Sequence, residues 1–164
     1  MVYKFINDAT LAKARSNKIE LYIPSVLLDT VSWDESFEHL TTVLKEPVPD
    51  IHYGPYLTIV THTAHDDIDI IKDIIKDINV LEERANVDRI VEGHMYIGLT
   101  QFGGNLGPHS DDCEVLFWQC IGQTQWSVND SIYVLNPGDC IYVPQGMQHD
   151  VKSLSPRMGI SFGF

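Results

Sequence analysis

Residues 102–126 read F-G-G-N-L-G-P-H-S-D-D-C-E-V-L-F-W-Q-C-I-G-Q-T-Q-W, and the prediction of the fold starts from this stretch. It places His109 and Asp111 two residues apart. Because alternate residues of a β-strand point to the same side, both side chains can reach one metal ion. A further histidine, His149, ends the later segment V-P-Q-G-M-Q-H. We therefore predict one metal site formed by these three residues, with the last ligand supplied by a distant strand.

The ligand types indicate which ion this site would bind. Two imidazoles and one carboxylate on one face of an ion leave several coordination positions open. This set suits Fe(II) in oxygenases, which need the open positions for substrate, co-substrate and O2. Mn, Ni, Co or Zn would occupy the same ligands, so the set favours Fe(II) without excluding them.

Turn signals around the ligands predict the rest of the fold. Three glycines and a proline before His109 permit a tight approach of the chain (Gly103, Gly104, Gly107 and Pro108). Asn136-Pro137-Gly138-Asp139 is a turn signature, and an apolar strand follows it. This alternation of strands and turns predicts a double-stranded β-helix of the cupin or jelly-roll kind. The predicted fold class is mainly β with flanking helices (α+β), in a single domain over residues 1–164.

Four segments together resemble the JmjC type of cupin. They are G-G-N-L-G-P-H-S-D (103–111), E-V-L-F-W-Q-C-I-G-Q-T-Q-W (114–126), L-N-P-G-D-C-I-Y-V-P-Q-G-M-Q-H (135–149) and S-P-R-M-G-I-S-F-G-F (155–164). Within that fold they are similar to the ribosomal-oxygenase branch of the Fe(II)/2-oxoglutarate dioxygenases. The resemblance implies that His109, Asp111 and His149 are iron ligands and that 2-oxoglutarate is the co-substrate of a hydroxylase.

The chain departs from that family where the family binds 2-oxoglutarate. The family places Lys or Arg two residues before the tryptophan that is Trp126 here, and Thr124 occupies that position. The family's cation binds the distal carboxylate of 2-oxoglutarate, and guanidinium–carboxylate pairs are among the stronger polar contacts. We predict that Arg157 replaces the cation, with hydroxyl contacts from Thr124, Tyr96 or Tyr142.

The missing cation leaves two function classes open. The first is a 2-oxoglutarate-dependent dioxygenase that acts on a protein side chain or a small molecule. The second is a metal-binding cupin without 2-oxoglutarate activity, either another dioxygenase or a small-molecule sensor or binding module. A cavity that contains the side chain of Arg157 or Lys152 favours the first class, and a cavity without a cation favours the second.

Composition limits the partners and the compartment. The 164-residue chain suits one domain, and its net charge of −12 would repel nucleic acid. Its three cysteines include no C-x-x-C pair, which favours reduced thiols. Cys113 shares strand parity with His109 and Asp111, so we expect it near the metal. No apolar run could span a bilayer and no signal-peptide core is present, so we expect a cytoplasmic protein without membrane or nucleic-acid partners.

Residues before about 89 are predicted to cover the barrel, which spans about 89–164. The predicted elements are strands at 18–23, 56–63 and 90–102, helices at 33–45 and 66–85, and a loop at 50–55. Ser32 and Glu35 form a capping box for the first of these helices. Its apolar residues are expected to face the sheet (Trp33, Phe37, Leu40 and Leu44). His39 lies off that stripe and is expected to face solvent.

Three more histidines are interpreted as structural. His62 and His65 lie at a predicted strand-to-helix junction, with no cysteine or third histidine nearby, which argues against a second metal site. His94 lies in the predicted strand 90–102 and is expected to be a satisfied side chain rather than a ligand.

Overall fold

The structure is a computed structural model that describes residues 9–27, 29–84, 91–103 and 106–164. Its helices are α1 (Ala9–Asn17), α2 (Trp33–Val43), α3 (Ala64–Asp67) and α4 (Asp69–Arg84). Its strands are β1 (Leu21–Ile23), β2 (Ile51–Gly54), β3 (Thr58–Thr61), β4 (Glu92–Gly98), β5 (Val115–Ile121), β6 (Thr124–Val128), β7 (Ser131–Leu135), β8 (Cys140–Val143), β9 (His149–Ser153) and β10 (Arg157–Gly163).

The strands form two antiparallel sheets. The larger sheet has the order β1-β8-β5-β10-β4-β3-β2, and the smaller has the order β7-β6-β9. The smaller sheet packs on one face of the larger one through apolar side chains such as Phe117 and Trp126. The helices cover the opposite face, where Ile71, Ile74 and Ile78 of α4 are fully buried. This arrangement confirms the predicted fold class.

The central strand β5 shows how the sequence produces these layers. Its first six residues are all buried, because the strand packs on both faces. Val115 and Phe117 belong to the core between the sheets, whereas Leu116 and Trp118 belong to the core beneath the helices. Alternate residues of a strand point to opposite faces, so one continuous apolar run serves both cores.

The helical layer differs from the prediction in which side chains it buries. Ser32 caps α2 with the predicted capping box. The buried side chains of α2 are Ser36, His39, Leu40 and Val43, whereas Phe37 and Leu44 are about half exposed. The expectation that His39 faces solvent is therefore wrong. Burial of the ring is tolerated because both nitrogens have hydrogen-bond partners. Nδ1 lies 2.8 Å from Asp67 and Nε2 lies 2.9 Å from Thr61.

Two predicted elements before the barrel are also corrected. The predicted helix at 66–85 is two helices, α3 and α4, separated by Ile68 in an extended conformation. The predicted loop at 50–55 contains strand β2, which pairs with β3. Gly104, the strand start at Ile90 and the helix end at Ala85 lie outside the described residues.

The strands of the predicted cover join the larger sheet. β1 pairs with β8 at one edge, while β2 and β3 extend the other edge beyond β4. The division near residue 89 stays a prediction, although the sheet runs across it. Among the described helices, none has the length and apolar character needed to cross a membrane.

Candidate metal centre

The predicted triad comes together at one end of β9. His109 and His149 face each other across an antiparallel bridge in which each backbone N–H donates to the other residue's carbonyl, at 2.9 and 2.8 Å. The Oδ2 of Asp111 lies 3.5 Å from Nε2 of His149, and its Oδ1 lies 4.0 Å from Nε2 of His109. The three ligand atoms lie within 4.8 Å of one another, a spacing that one ion can bridge.

Backbone carbonyls orient both imidazoles. Nδ1 of His109 lies 2.8 Å from the carbonyl of Gly107, and Nδ1 of His149 lies 3.1 Å from the carbonyl of Met147. A carbonyl only accepts hydrogen bonds, so Nδ1 carries the proton in both rings. Each Nε2 lone pair is then directed towards the third ligand, as in metal sites whose histidines are held by outer hydrogen bonds.

His149 stacks on Trp126, and its burial keeps the imidazole neutral. The indole of Trp126 stacks on the imidazole with ring centroids 5.4 Å apart and an interplanar angle of 15°. Burial is the main reason that the pKa of His149 is lowered, with His109 acting in the same direction and Asp111 opposing it. The ring is therefore neutral near pH 7, which is the state that binds a metal.

A cavity of about 340 Å³ opens beside the triad and is lined by all three ligands. This volume is at the lower end of the range for small-molecule sites. Phe117, Trp126 and Val151 give it apolar walls, and Tyr96 adds a hydroxyl. Cys113 lines the same cavity as expected, although it lies before β5 and not in a strand.

The cavity contains a cation, because Arg157 lies in its wall with its side chain fully buried. Its Nε donates to the hydroxyl of Ser153 at 3.0 Å, and its guanidinium carbon lies 5.9 Å from the ring centroid of Phe117. Burial lowers the pKa of Arg157 to about 10, so the group is still charged at neutral pH. Lys152, the other basic residue considered, is half exposed, pairs with Asp150 and is not among the residues lining the cavity.

The three predicted hydroxyl groups lie in different places. Tyr96 lines the cavity, where burial and the charge of Asp111 raise the pKa of its phenol. Thr124 is buried outside the cavity lining, and its hydroxyl donates to Gln119 at 2.7 Å while accepting from Trp126 at 3.2 Å. Tyr142 belongs to the core beneath the helices, so it is on the opposite side of the larger sheet.

The sequence analysis missed a second group of histidines. The ring centroid of His62 lies 4.9 Å from that of His52 and 4.3 Å from that of His94. The expectation that His62 has no third histidine nearby is therefore wrong, because sheet pairing brings residues that are distant in sequence together. The sequence does place one histidine in or directly after each of the segments that form β2, β3 and β4. Pairing of these strands brings the three histidines together.

These features define the class of fold to which the chain belongs, the cupin fold with a histidine–aspartate–histidine group in its cavity. No protein-family model matches the chain. Among curated proteins it is similar to the ribosomal protein uL16 3-hydroxylase of Escherichia coli strain K12, with 29% identity over 84 residues. That match covers 38% of this chain and 22% of the relative.

Solved structures of the E. coli ribosomal oxygenase YcfD are similar to the chain throughout. One crystal structure matches 96% of this chain and 51% of its own, with a TM-score of 0.73 and 18% identity. A structure of YcfD in complex with cobalt and 2-oxoglutarate matches 88% of this chain and 47% of its own, with a TM-score of 0.68 and 18% identity. The chain thus spans about half the length of these structures. The predicted fold and its resemblance to a JmjC-type ribosomal oxygenase, at low identity, are confirmed.

Proposed function

We propose that the chain is an Fe(II)- and 2-oxoglutarate-dependent oxygenase. His109, Asp111 and His149 would hold the iron, and Arg157 would bind the distal carboxylate of 2-oxoglutarate. The observation that carries this proposal is a buried, charged guanidinium in the wall of the cavity that the triad also lines.

The donor set and its geometry fit Fe(II). Two Nε2 atoms and one carboxylate oxygen converge, and the same three residues line the cavity. Such a facial set leaves positions for a co-substrate and O2, and a bound Fe(II) would supply the oxidation chemistry. The residues of this chain hold the ligands in place and give the cavity apolar walls that exclude water.

Arg157 has the position needed to replace the cation missing at Thr124. Thr124 on β6 is paired with Ser153 on β9, and the hydroxyl of Ser153 accepts the hydrogen bond from Arg157. The guanidinium therefore lies near Thr124, although β10 and β6 belong to different sheets. Arg157 lines the cavity and Thr124 does not, so a charge on β10 rather than β6 would supply the cation of the cavity wall, which supports binding of a dicarboxylate.

Tyr96 complements this cation. Its raised pKa keeps the phenol protonated at neutral pH, so it can donate a hydrogen bond to a carboxylate. Tyr96 and Arg157 lie on neighbouring strands, β4 and β10, and both line the cavity. We infer that they bind the same end of the co-substrate.

Substrate and compartment are further parts of the proposal. The substrate would be a protein side chain or a small molecule. Within the described residues the three cysteines form no disulfide, and reduced thiols accompany Fe(II) in a reducing compartment. We therefore infer that the protein acts in the cytoplasm.

A second candidate function rests on Thr124. Its hydroxyl is engaged by Gln119 and Trp126, so the position of the usual cation has become part of the packing. In this alternative the chain is a metal-binding cupin that has no 2-oxoglutarate activity and acts as another dioxygenase or as a small-molecule sensor or binding module.

Anaerobic titration of the Fe(II)-loaded protein with 2-oxoglutarate tests the proposal. A bidentate chelate would give a visible charge-transfer band that saturates. Removing one partner of a buried charge pair costs about 2–5 kcal/mol, so Arg157→Leu should weaken binding at least about 30-fold. Lys152→Leu is the matched control, because it removes a neighbouring cation outside the cavity lining and should leave the titration unchanged.

A second variant, Arg157→Lys, keeps the proposal testable if Arg157→Leu does not fold. Arg157→Lys keeps a cation, but the burial that lowers the pKa of Arg157 would also lower that of the lysine. We expect 2-oxoglutarate binding by this variant to weaken at a lower pH than wild-type binding does, because Arg157 stays charged until the pH approaches its pKa of about 10. Absence of the band in wild-type protein with Fe(II) bound would favour the second candidate function, and wild-type affinity in both Arg157 variants would refute the anchor.

A further inference from the structure

The second histidine group lies on the cavity face of the larger sheet. β2 pairs His52 with Val60, and β3 pairs Val60 with Tyr96 of β4. Cross-strand partners share a face, and so do alternate residues along a strand. His52, His62 and His94 therefore lie on the same face as Tyr96, which lines the cavity.

Asp50 completes this group. It lies two residues before His52 and so shares its face, next to His62 on the neighbouring strand segment. One ligand atom from each of Asp50, His52 and His62 lies within 4.8 Å of the others. His94 stands beside the group with its Nε2 already bonded to Glu92 at 2.9 Å, so we regard it as a flanking residue.

The surroundings of these three residues fit a hydrated ion better than a packed core. Asp50 and His52 are exposed and His62 is half buried. They line a second cavity of about 470 Å³, whose other lining residues include Thr63, His65 and Glu92. His62 also lines the first cavity, so it stands in the wall between the two.

We propose that Asp50, His52 and His62 form a second divalent-metal site, suited to Zn(II), at the rim of the first cavity. Two imidazoles and one carboxylate are ligands that Zn(II) accepts, and three protein ligands leave a position for water or another ligand. The proposal is independent of the proposed oxygenase function, because none of its ligands belongs to the first triad.

The place of the ligands indicates what the ion would do. β2 is the edge strand of the larger sheet and has only four residues. A short edge strand is weakly held, and an ion that joins its start to His62 would fasten the hairpin of β2 and β3. We expect Zn(II) to stabilise this edge of the cavity.

Equilibrium titration with Zn(II) alone tests the site in the full-length chain. In wild-type protein we expect two equivalents, one at each triad. In the His109→Ala/His149→Ala variant we expect one equivalent, which isolates the rim site. Loss of outer hydrogen-bond partners costs about 10- to 100-fold in metal affinity, so removing direct ligands by His52→Ala/His62→Ala in that background should cost at least about 100-fold.

His65→Ala in the same background is the matched control. His65 lines the same cavity but contributes no atom to the three-ligand group, so this variant should keep wild-type rim affinity. Asp50→Asn, which preserves the shape of an exposed side chain, should weaken Zn(II) without unfolding the edge, as circular dichroism would verify. No Zn(II) in the isolated-site variant, or unchanged affinity after loss of His52 and His62, would overturn the proposal.

Discussion

The described part of the chain contains two groups of two histidines and one aspartate, and they differ in how the side chains are held. In the central group, His109 and His149 exchange backbone hydrogen bonds and each ring is fixed by a carbonyl two residues earlier. In the rim group, His52 and His62 meet edge to face on a hairpin at the margin of the sheet. The residue types are the same, but in the central group His149 is buried and the other two ligands are half buried, whereas in the rim group Asp50 and His52 are exposed.

This difference teaches that the scaffold, more than the ligand types, sets the strength of a metal site. A side chain that is already ordered loses little conformational freedom on binding, whereas an exposed side chain must be ordered by the ion. Outer hydrogen bonds also orient the ligand atom and raise its basicity. We therefore expect the central site to bind a given divalent ion more tightly than the rim site.

The largest expected effect comes from the central carboxylate. Asp111→Asn keeps the size of the side chain but removes the charge that faces both Nε2 atoms. We expect Fe(II) affinity to fall at least about 100-fold, measured as iron retained after anaerobic desalting. Asp112→Asn is the control, since Asp112 lines the same cavity outside the triad. Equal iron retention by Asp111→Asn and wild type would contradict the assignment of Asp111 as a metal ligand. The expected difference in affinity between the central and rim groups would then lose its basis.

A smaller effect is expected at the aromatic support of His149. Trp126→Leu removes the stacked indole and its hydrogen bond to Thr124. Because the carbonyl of Met147 still holds the ring, we expect Fe(II) affinity to fall about 10-fold, the low end for outer partners. Zn(II) affinity at the rim should not change. Trp33→Leu, on the helical layer, controls for loss of a tryptophan, and an equal fall in that variant would show a general effect on stability.

The central group was predictable because short-range rules encode it. His109 and Asp111 converge as predicted, but among the described residues His109 forms only an isolated bridge with His149 and Asp111 lies outside the strands. Turn residues before β8 and β9 return the chain to the same place. The hairpin of β6 and β7 is equally local, since β6 ends at Val128 and β7 begins at Ser131. Such features depend on residues close to one another in sequence.

The rim group was not predictable in the same way, because it depends on which strands pair. The sequence predicts a loop at 50–55, and the strand β2 that forms there is short and has exposed side chains at its centre. Without β2, no rule brings His52 beside His62, and His62 lies beside His94 because β3 pairs with β4. The same limit applies to Arg157. Thr124 pairs with Ser153, and the hydroxyl of Ser153 accepts a hydrogen bond from Arg157, so the two residues are close only because of strand pairing.

His39 shows a third kind of limit. The helical spacing of apolar residues in α2 predicted one buried stripe, but the structure rotates the helix so that His39 faces inward. Asp67 and Thr61 satisfy both ring nitrogens and so permit the burial of a polar side chain. Neither partner is close to His39 in sequence, so the apolar pattern alone selected the wrong face.

The smallest expected effect is a difference in acid sensitivity between the two groups in metal-free protein. Burial lowers the pKa of both His149 and His62, below the ordinary histidine value of about 6.5. Between the ordinary value and the lowered folded pKa, the histidine is protonated in the unfolded chain but neutral in the folded chain. The free energy of unfolding therefore falls as the pH drops from the ordinary value through the folded pKa. This contribution is fully present above the ordinary value.

We expect His149→Asn to reduce the loss of stability between about pH 7.5 and about pH 5 more than His62→Asn does, since the ring of His149 is the more buried. Urea unfolding midpoints of chelator-treated protein across that range would measure the two slopes. If the slopes of both variants equal that of wild type, neither ring resists protonation in the folded chain. If His62→Asn has the larger effect, the rim group is the more desolvated one, and the expected order of the two metal affinities would have to be reconsidered.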